Sequence, residues 1–201
     1  MTHISTIGAG LFSDLSFSTE VPVTTAGLAA YAEQDWFDLF ATYAALGAAG
    51  GAGIFKRIAD IRSFPEMGTP PNIVNVPVYG SKTSRQVQGQ ADAPSFEVEI
   101  NFIPDNWKVA TDYLGGLIGN GVLYAFRFSL LNAEPAGYTS GTAGLGTALG
   151  GTAGTPACKN SQYFWGGKFE AIQVNPQLTD ANTAKLTISI QTAFVGAFTN
   201  T

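Results

Sequence analysis

The sequence has few of the side chains that usually carry enzyme chemistry. It contains one histidine, His3, and one cysteine, Cys158. A single cysteine cannot form a disulfide within the chain, so the sequence gives no sign of an oxidising compartment. General bases, activated nucleophiles and transition-metal sites are mostly built from histidine, cysteine or clustered carboxylates. We therefore expect no enzyme activity, no metal site and no cofactor.

Charge is also scarce. Only 12% of the residues are charged, and 15 acidic against 10 basic side chains give a formal net charge of -5. The sequence has no run of Lys and Arg, which static binding to nucleic acid requires. It also lacks a basic start followed by an apolar core, and any long uncharged apolar run, so we predict neither a signal peptide nor a membrane span. A surface poor in charge suits a protein that assembles into a particle.

Alternating apolar residues predict an antiparallel β fold. The clearest strand is 95–103, where every second residue is apolar, and 122–131 and 185–194 repeat this pattern. The segment 162–174 is a fourth strand, with a bulge predicted at Gly166 and Gly167. The apolar residues of the clearest strand are Phe96, Val98, Ile100 and Phe102.

Helical spacing occurs between Pro104 and Gly121. Pro104 and Asp105 favour the start of a helix, and the glycines from 119 to 121 favour its end. The predicted α-helix has one apolar side, which we expect to pack on the sheet. That side consists of Trp107, Ala110, Tyr113, Leu114, Leu117 and Ile118.

A second segment, 28–46, is ambiguous because its alanines favour a helix and its aromatic residues favour a strand. Together with the glycine-rich run 47–53 and the β-branched segment 54–64, it predicts one of two arrangements. The first is a β-hairpin with a glycine-rich loop, and the second is a helix followed by a strand.

The length favours a single domain that covers 1–201. The first 30 residues are rich in Ser, Thr and Gly and predict an extended arm or a short strand laid on a neighbour. The segment 132–161 includes a low-complexity run that can bury little apolar surface, so we predict a long loop there.

Two carboxylates, Glu97 and Glu99, project from the same face of the strand 95–103. Two acids of this kind could form a glycosidase pair. Such a pair usually comes from different elements, with apolar surroundings that raise one pKa, whereas the neighbours on this face are Ser95 and Asn101. A solvated acidic face is therefore the favoured interpretation.

The most specific pattern lies between Pro70 and Pro104. The sequence PPNIVNVPVYGSKTSRQVQGQADAPSFEVEINFIP reads as an extended segment, a turn at Gly80 and Ser81, a polar strand that reaches Asp92, and the alternating strand. This order resembles the middle of a bacteriophage tail tube protein. A preceding strand, and a helix, a strand, a variable loop and two closing strands afterwards, extend the likeness over about 53–195 in element order.

The resemblance implies a mainly β fold, namely an antiparallel β-sandwich or partial barrel with one flanking α-helix, long loops and an extended N-terminal arm. It also implies a structural virion protein that is assembled in the cytoplasm of a bacterial host. Six copies would form a ring, and stacked rings would form the tail tube through which DNA is ejected. The implied partners are other copies of this chain and the tape measure, tail terminator and distal tail proteins, while DNA passes without specific binding.

Within that function, Glu97 and Glu99 are expected to face the lumen, with a subunit interface as the less favoured position. The segment 72–85 is expected to form a hairpin or loop that reaches an adjacent subunit or ring. Its candidate contact residues are Asn72, Asn75, Tyr79, Lys82 and Arg85.

Two other functions stay open at this point. The first is a tail-completion or head-decoration subunit, which would form a single ring or knob. The second is a secreted β-sandwich module that binds carbohydrate on a platform of Trp36, Trp107 and Trp165. Core packing explains Trp107 and Trp165 better, because each shares a face with other apolar residues.

Overall fold

The computed structural model describes residues 13–20, 23–58, 60–66, 71–80, 82–91, 96–130 and 162–196. The protein is mainly β, as predicted. Within these residues, nine strands form one large sheet and two more form a separate hairpin. The described helices are all too short to cross a membrane. His3, Cys158 and the predicted loop 132–161 lie outside the described residues.

The strands and helices are numbered in chain order. The helices are α1 (Thr25–Ala30) and α2 (Glu33–Asp38). The strands are β1 (Asp14–Ser18), β2 (Thr42–Tyr43), β3 (Ile54–Arg57), β4 (Ile61–Ser63), β5 (Pro71–Val76), β6 (Arg85–Ala91), β7 (Phe96–Asn101), β8 (Tyr124–Ser129), β9 (Gln162–Asn175), β10 (Thr183–Ile190) and β11 (Val195–Gly196).

The large sheet has the order β2-β3-β1-β8-β9-β10-β7-β4, and β11 pairs with β9. Its pairs are antiparallel except for β2 with β3. The long strand β9 joins the two halves of the sheet, which are β2-β3-β1-β8 on one side and β10-β7-β4 on the other. Its first part pairs with β8, and its remainder pairs with β10. Every strand between the two ends of this order is therefore hydrogen-bonded on both sides.

A bulge interrupts β9 at Glu170, since Phe169 and Ala171 pair with the successive residues Ile188 and Thr187. The bulge predicted at Gly166 and Gly167 is therefore wrong. Gly167 pairs in register on both of its sides, with β8 and with β10. A side chain at Gly167 would collide with the backbone carbonyl of Ser189, so this glycine permits a close approach of two strands.

The sheet curls into an incomplete barrel. β3 and β4 are the second and the last strands in the sheet order, yet only three residues separate Arg57 from Ile61. Four Cα–Cα steps span at most about 15 Å, so the two strands must lie close together. Phe64, directly after β4, contacts Phe128 of β8 with ring centroids 4.6 Å apart. No ladder between described residues joins β4 to β2 or β3, so the barrel stays open.

The inner face of the curl holds the main hydrophobic core. Trp165 lies at its centre with no exposed surface, and its ring centroid lies 5.1 Å from that of Phe96 and 5.5 Å from that of Phe126. Side chains from both halves of the sheet therefore share one core. Its buried members are Leu15, Phe17, Ile58, Phe96, Val98, Ile100, Leu114, Tyr124, Phe126, Phe128, Tyr163, Trp165, Phe169, Ala184, Leu186 and Ile188.

The two helices form a second, smaller core on the opposite face of the sheet. The rings of Trp36, Phe37 and Phe40 pack on Phe164 of β9, with centroids 5.1 to 6.0 Å apart. The hydroxyl of Thr24 caps α1 by accepting a hydrogen bond from the Gly27 amide at 3.0 Å. Of the two arrangements predicted from 28–46, the helix followed by a strand is confirmed.

The prediction of an extended arm is wrong for the described part of residues 1–30. β1 lies inside the sheet, between β3 and β8, and all five of its residues are buried. Leu15 and Phe17 enter the main core, while Asp14, Ser16 and Ser18 are buried on the other face. Arg57 and Ser16 both donate hydrogen bonds to the Asp14 carboxylate, which explains how a carboxylate is tolerated there.

The predicted α-helix at 104–118 is also wrong, and the helices of the fold lie earlier in the chain. The segment forms two short 3-10 turns, Pro104–Trp107 and Leu114–Gly116. A side chain at Gly115 would collide with the carbonyl of Trp107, and Asp112 has a φ of +72°, which no α-helix contains. The glycines that weaken a helix here allow the chain to fold back on itself.

Most of the predicted packing residues in this segment still contact the sheet. Leu114 is buried in the main core, and Trp107, Leu117 and Ile118 are half-buried against it. Tyr113 is half-buried, and Ala110 is exposed.

Candidate assembly surfaces

Glu97 and Glu99 lie on the outer face of β7, because they alternate with the buried residues Phe96, Val98 and Ile100. Glu97 accepts a hydrogen bond of 2.8 Å from the Lys185 ammonium on the neighbouring strand. That contact with Glu97 raises the pKa of Lys185 above its usual value. The Glu97 and Lys185 side chains are 44% and 52% exposed, so water screens the pair and it adds little stability.

The same outer face continues across β10 and the second half of β9. Ser189 donates a hydrogen bond of 2.6 Å to Glu170, and Lys168 pairs with Ser189 in the ladder. We call this surface the polar face. Its charged residues are Glu97, Glu99, Lys168, Glu170 and Lys185, so it carries three acids against two bases. It is solvated and weakly acidic, as predicted for the surroundings of Glu97 and Glu99.

The hairpin of β5 and β6 is the second candidate surface. Within the described residues, these strands pair only with each other. Gly80, with a φ of +80°, lies in the turn next to Tyr79, whose side chain is fully exposed. Val76 and Val78 are 41% and 40% exposed. Exposed apolar residues in a group mark contact sites.

The predicted contact residues of the hairpin are close together in the chain. Asn75, Tyr79, Lys82 and Arg85 are exposed, and Asn72 lies in β5. A two-stranded hairpin is at best marginally stable by itself in water. The hairpin is therefore the described element with most to gain from a partner.

The third candidate surface was not predicted. A cavity of about 420 Å³ lies between the inner side of the curled sheet and the segment 109–120. We call it the Lys56 cavity, because the side chain of Lys56 lines it while only 1% of that residue is exposed. Phe17, Leu117 and Tyr124 supply its apolar lining.

Two short networks of hydrogen bonds border the Lys56 cavity. The Lys56 ammonium donates to the Asp112 backbone carbonyl at 2.8 Å and to its carboxylate at 3.3 Å. The Tyr124 hydroxyl accepts a hydrogen bond of 3.0 Å from the Asn120 side chain. Burial raises the pKa of Tyr124, and the hydrogen bond from Asn120 only partly offsets this effect. Tyr124 therefore keeps its proton at neutral pH.

Lys56 and Asp112 were missed because sequence patterns do not report contacts between distant residues. These two residues are 56 positions apart. The one local sign of this contact was a lysine in the short strand segment IFKRI, where alternation places Lys56 on the other face of the strand from Phe55. Lys56 is paired with Phe17 in the ladder and shares its face of the sheet.

The three tryptophans do not form an exposed platform. Trp36 and Trp165 are fully buried, and half-buried Trp107 stacks on Phe102 with centroids 6.5 Å apart. The prediction that core packing accounts for Trp165 is confirmed. The described residues also contain no group of three or more His, Cys, Asp or Glu side chains placed to hold a metal ion.

Comparison of the sequence with protein-family models gives no match, and comparison with curated proteins gives none.

Proposed function

We propose that this chain is a structural subunit of a bacteriophage tail tube, in which hexameric rings stack into a conduit for DNA. The observation that carries the proposal is the hairpin of β5 and β6, which has no partner strand within the described chain. It occupies the stretch of sequence that resembles the tail tube family. Other copies of this chain are its proposed partners.

Two features of the hairpin favour contact with another molecule. Its strands leave their outer backbone groups unpaired within the described residues, and its turn exposes Val76, Val78 and Tyr79. A monomer would gain nothing from exposing three apolar side chains on an element that is marginal alone. Contact with a neighbouring subunit or ring would bury these side chains and stabilise the hairpin.

The polar face supports a role as the wall of the conduit. Glu97 and Glu99 are exposed on a regular sheet, and the charges of this face sum to -1. A weakly acidic wall repels phosphates slightly and offers no cluster of cations to hold them. DNA would then slide past it without sticking.

The edge strands β2 and β4 have only two and three residues, so they expose little unpaired backbone.

As a tail tube subunit, the protein would be assembled in the cytoplasm of the bacterial host and would end in the virion. The tape measure, tail terminator and distal tail proteins would be its further partners. These proposals come from the resemblance of the sequence to the tail tube family.

Electron microscopy of the purified protein tests the proposal directly. We expect negatively stained samples to contain long filaments of constant bore. Replacing residues 72–85 with a short Gly-Ser turn should abolish the filaments while the circular dichroism of the main sheet is retained. A matched control is Leu178→Ser, which removes an equally exposed apolar side chain from the turn between β9 and β10 and should leave filaments intact.

One outcome would contradict the tail tube, and another would contradict the role of the hairpin in it. Single rings or knobs, without filaments, would indicate a tail-completion or head-decoration subunit. Ordered filaments from the hairpin-shortened variant would show that the hairpin has no part in assembly.

The position of the polar face is tested separately by charge reversal. Tubes of the double variant Glu97→Lys, Glu99→Lys should retain double-stranded DNA at low salt and release it as salt rises, because added cations neutralise phosphates. We expect at least tenfold more retained DNA than with wild-type tubes, measured by co-sedimentation. The control is Glu66→Lys, Asp105→Lys, which changes the net charge equally at exposed residues outside the polar face. Equal retention by both variants would remove Glu97 and Glu99 from the lumen.

A further inference from the structure

Two buried side chains that line the Lys56 cavity each keep one hydrogen-bond donor without an acceptor among the described residues. An ammonium has three N–H groups. Among the described residues, Lys56 donates two hydrogen bonds, and both go to Asp112. The Tyr124 hydroxyl accepts from Asn120, but its own proton meets no acceptor among the described residues. Lys56 is 1% exposed and Tyr124 is 5% exposed. Buried donors are almost always satisfied, so the cavity suits a group that carries a hydrogen-bond acceptor.

The chemistry of the cavity limits what that acceptor can be. The charge of Lys56 is already balanced by the Asp112 carboxylate, with 3.3 Å between the nitrogen and the oxygen. A second anion would add a buried charge without a partner, so the acceptor should be neutral. Phe17 and Leu117 provide apolar walls. A phenol meets these demands, because its ring packs on apolar walls and its oxygen accepts hydrogen bonds.

Tyr79 is a phenol of this kind, and it packs on no other side chain among the described residues. It is fully exposed at the turn of the hairpin, and its exposed neighbours Val76 and Val78 extend the apolar surface. The hairpin also has a charge opposite to the rest of the chain. It holds Lys82 and Arg85 without an acid, which leaves eight bases against fifteen acids, or -7, elsewhere. Electrostatic attraction therefore favours contact between the hairpin of one copy and the body of another.

We propose that Tyr79 of one copy inserts into the Lys56 cavity of a second copy. The inference of this contact rests on the proposed tube function, and it assigns the Lys56 cavity as the surface that receives the hairpin. Its hydroxyl oxygen accepts hydrogen bonds from Lys56 and Tyr124, while its ring covers Phe17 and Leu117. The contact is heterologous, because a protrusion meets a cavity rather than its own equivalent, so it propagates from copy to copy.

Disulfide trapping tests which surface receives the hairpin. Val109, 91% exposed, lines the cavity and serves as the second attachment point. In a Cys158→Ser background, the pair Tyr79→Cys, Val109→Cys should give a ladder of linked dimers, trimers and larger species after mild oxidation. Either single variant can give dimers at most. The control pair Tyr79→Cys, Leu178→Cys has equally exposed positions and should give no ladder.

The outcomes separate the inference from the function on which it rests. Tubes that form without a ladder from the Val109 pair, or with an equal ladder from the Leu178 pair, would overturn the inference and leave the tube function standing. If the unmodified chain forms no tubes at all, the proposed function fails and the inference fails with it.

A second measurement avoids cysteine and tests the hydrogen bonds. Tyr124→Phe removes one neutral hydrogen bond of the proposed contact and should raise the critical concentration for tube assembly about fivefold. Tyr79→Phe removes both proposed hydrogen bonds, one of them from the Lys56 ammonium, so its critical concentration should rise at least about tenfold. The control is Tyr31→Phe, at a half-buried tyrosine that packs on Trp36 next to α1, and it should have no effect. Unchanged critical concentrations for both Tyr79→Phe and Tyr124→Phe, with folding verified by circular dichroism, would contradict the proposed contact.

Discussion

Replacing Trp165 with alanine should lower the free energy of unfolding by about 3–5 kcal/mol, the range for a large aromatic side chain removed from a core. Trp165 has no exposed surface, and its ring contacts Phe96, Phe126 and Phe194 with centroids 5.1 to 5.5 Å apart. Phe96 and Phe126 belong to different strands of the curled sheet, β7 and β8, and Phe194 lies just before β11, so these neighbours cannot close the cavity without moving the strands. Urea denaturation below the concentration of assembly measures the loss.

Trp107→Ala is the matched control for that experiment. Trp107 is half-buried and stacks on Phe102 at the edge of the core. Water can refill part of the space that it leaves, so we expect a loss of about 1–2 kcal/mol. Equal losses for the two variants would mean that the core is not centred on the strand β9.

Removing the carboxylate of Asp112 should cost more stability than removing the ammonium of Lys56. Asp112→Gly leaves a buried cation without its counter-charge, and we expect a loss of about 2 kcal/mol, below the full cost for a buried pair because the Asp112 side chain is 30% exposed. Glycine is chosen because the φ of Asp112 is +72°, which glycine adopts without strain. Lys56→Met removes the cation and keeps the apolar stem, so its loss should stay below about 1 kcal/mol.

A double-mutant cycle gives the sharper form of this prediction. The variant Lys56→Met, Asp112→Gly should be more stable than Asp112→Gly alone, because no buried charge is then left unpaired. The free energies come from urea denaturation of all four proteins. Additive losses would show that Lys56 and Asp112 do not interact.

The sequence predicts strands well where alternation is long enough. β7, β8 and β10 each bury at least three alternating apolar residues, and each was predicted. A short strand was one of the two alternatives for the start of the chain, but the place of β1 inside the sheet was missed, because it offers only Leu15 and Phe17 in a region rich in Ser and Gly. Its place between β3 and β8 depends on pairing with residues far along the chain, which no local pattern reports.

The error at 104–118 has a different cause. Apolar residues at helical spacing were present, but Gly115 and Gly116 allow close backbone approaches that an α-helix would prevent. Tertiary packing therefore decided the conformation where helix propensity was weak. The apolar residues at these positions still pack on the sheet, with Leu114 buried, so spacing identified the contacts correctly and the conformation wrongly.

A candidate surface could be predicted from the sequence only where its residues lie close together in the chain. Exposure of Glu97 and Glu99 follows from alternation within one strand, and the hairpin follows from its turn residues. The Lys56 cavity requires β1, β3, β8 and the segment 109–120 to meet in space. It could be found only once the curl of the sheet was known.

The position of the hairpin in the chain has a mechanical consequence. β5 and β6 lie between β4 and β7, which are paired at the edge of the sheet, and β4 contributes only three residues with an irregular register. A tensile load on the hairpin reaches the sheet through β4 on one side and through β7 on the other, and Phe96, the first residue of β7, contacts Trp165. In the proposed tube, the short ladder between β4 and β7 would open before the ladder of six residue pairs between β7 and β10, so the subunit would yield first at its edge.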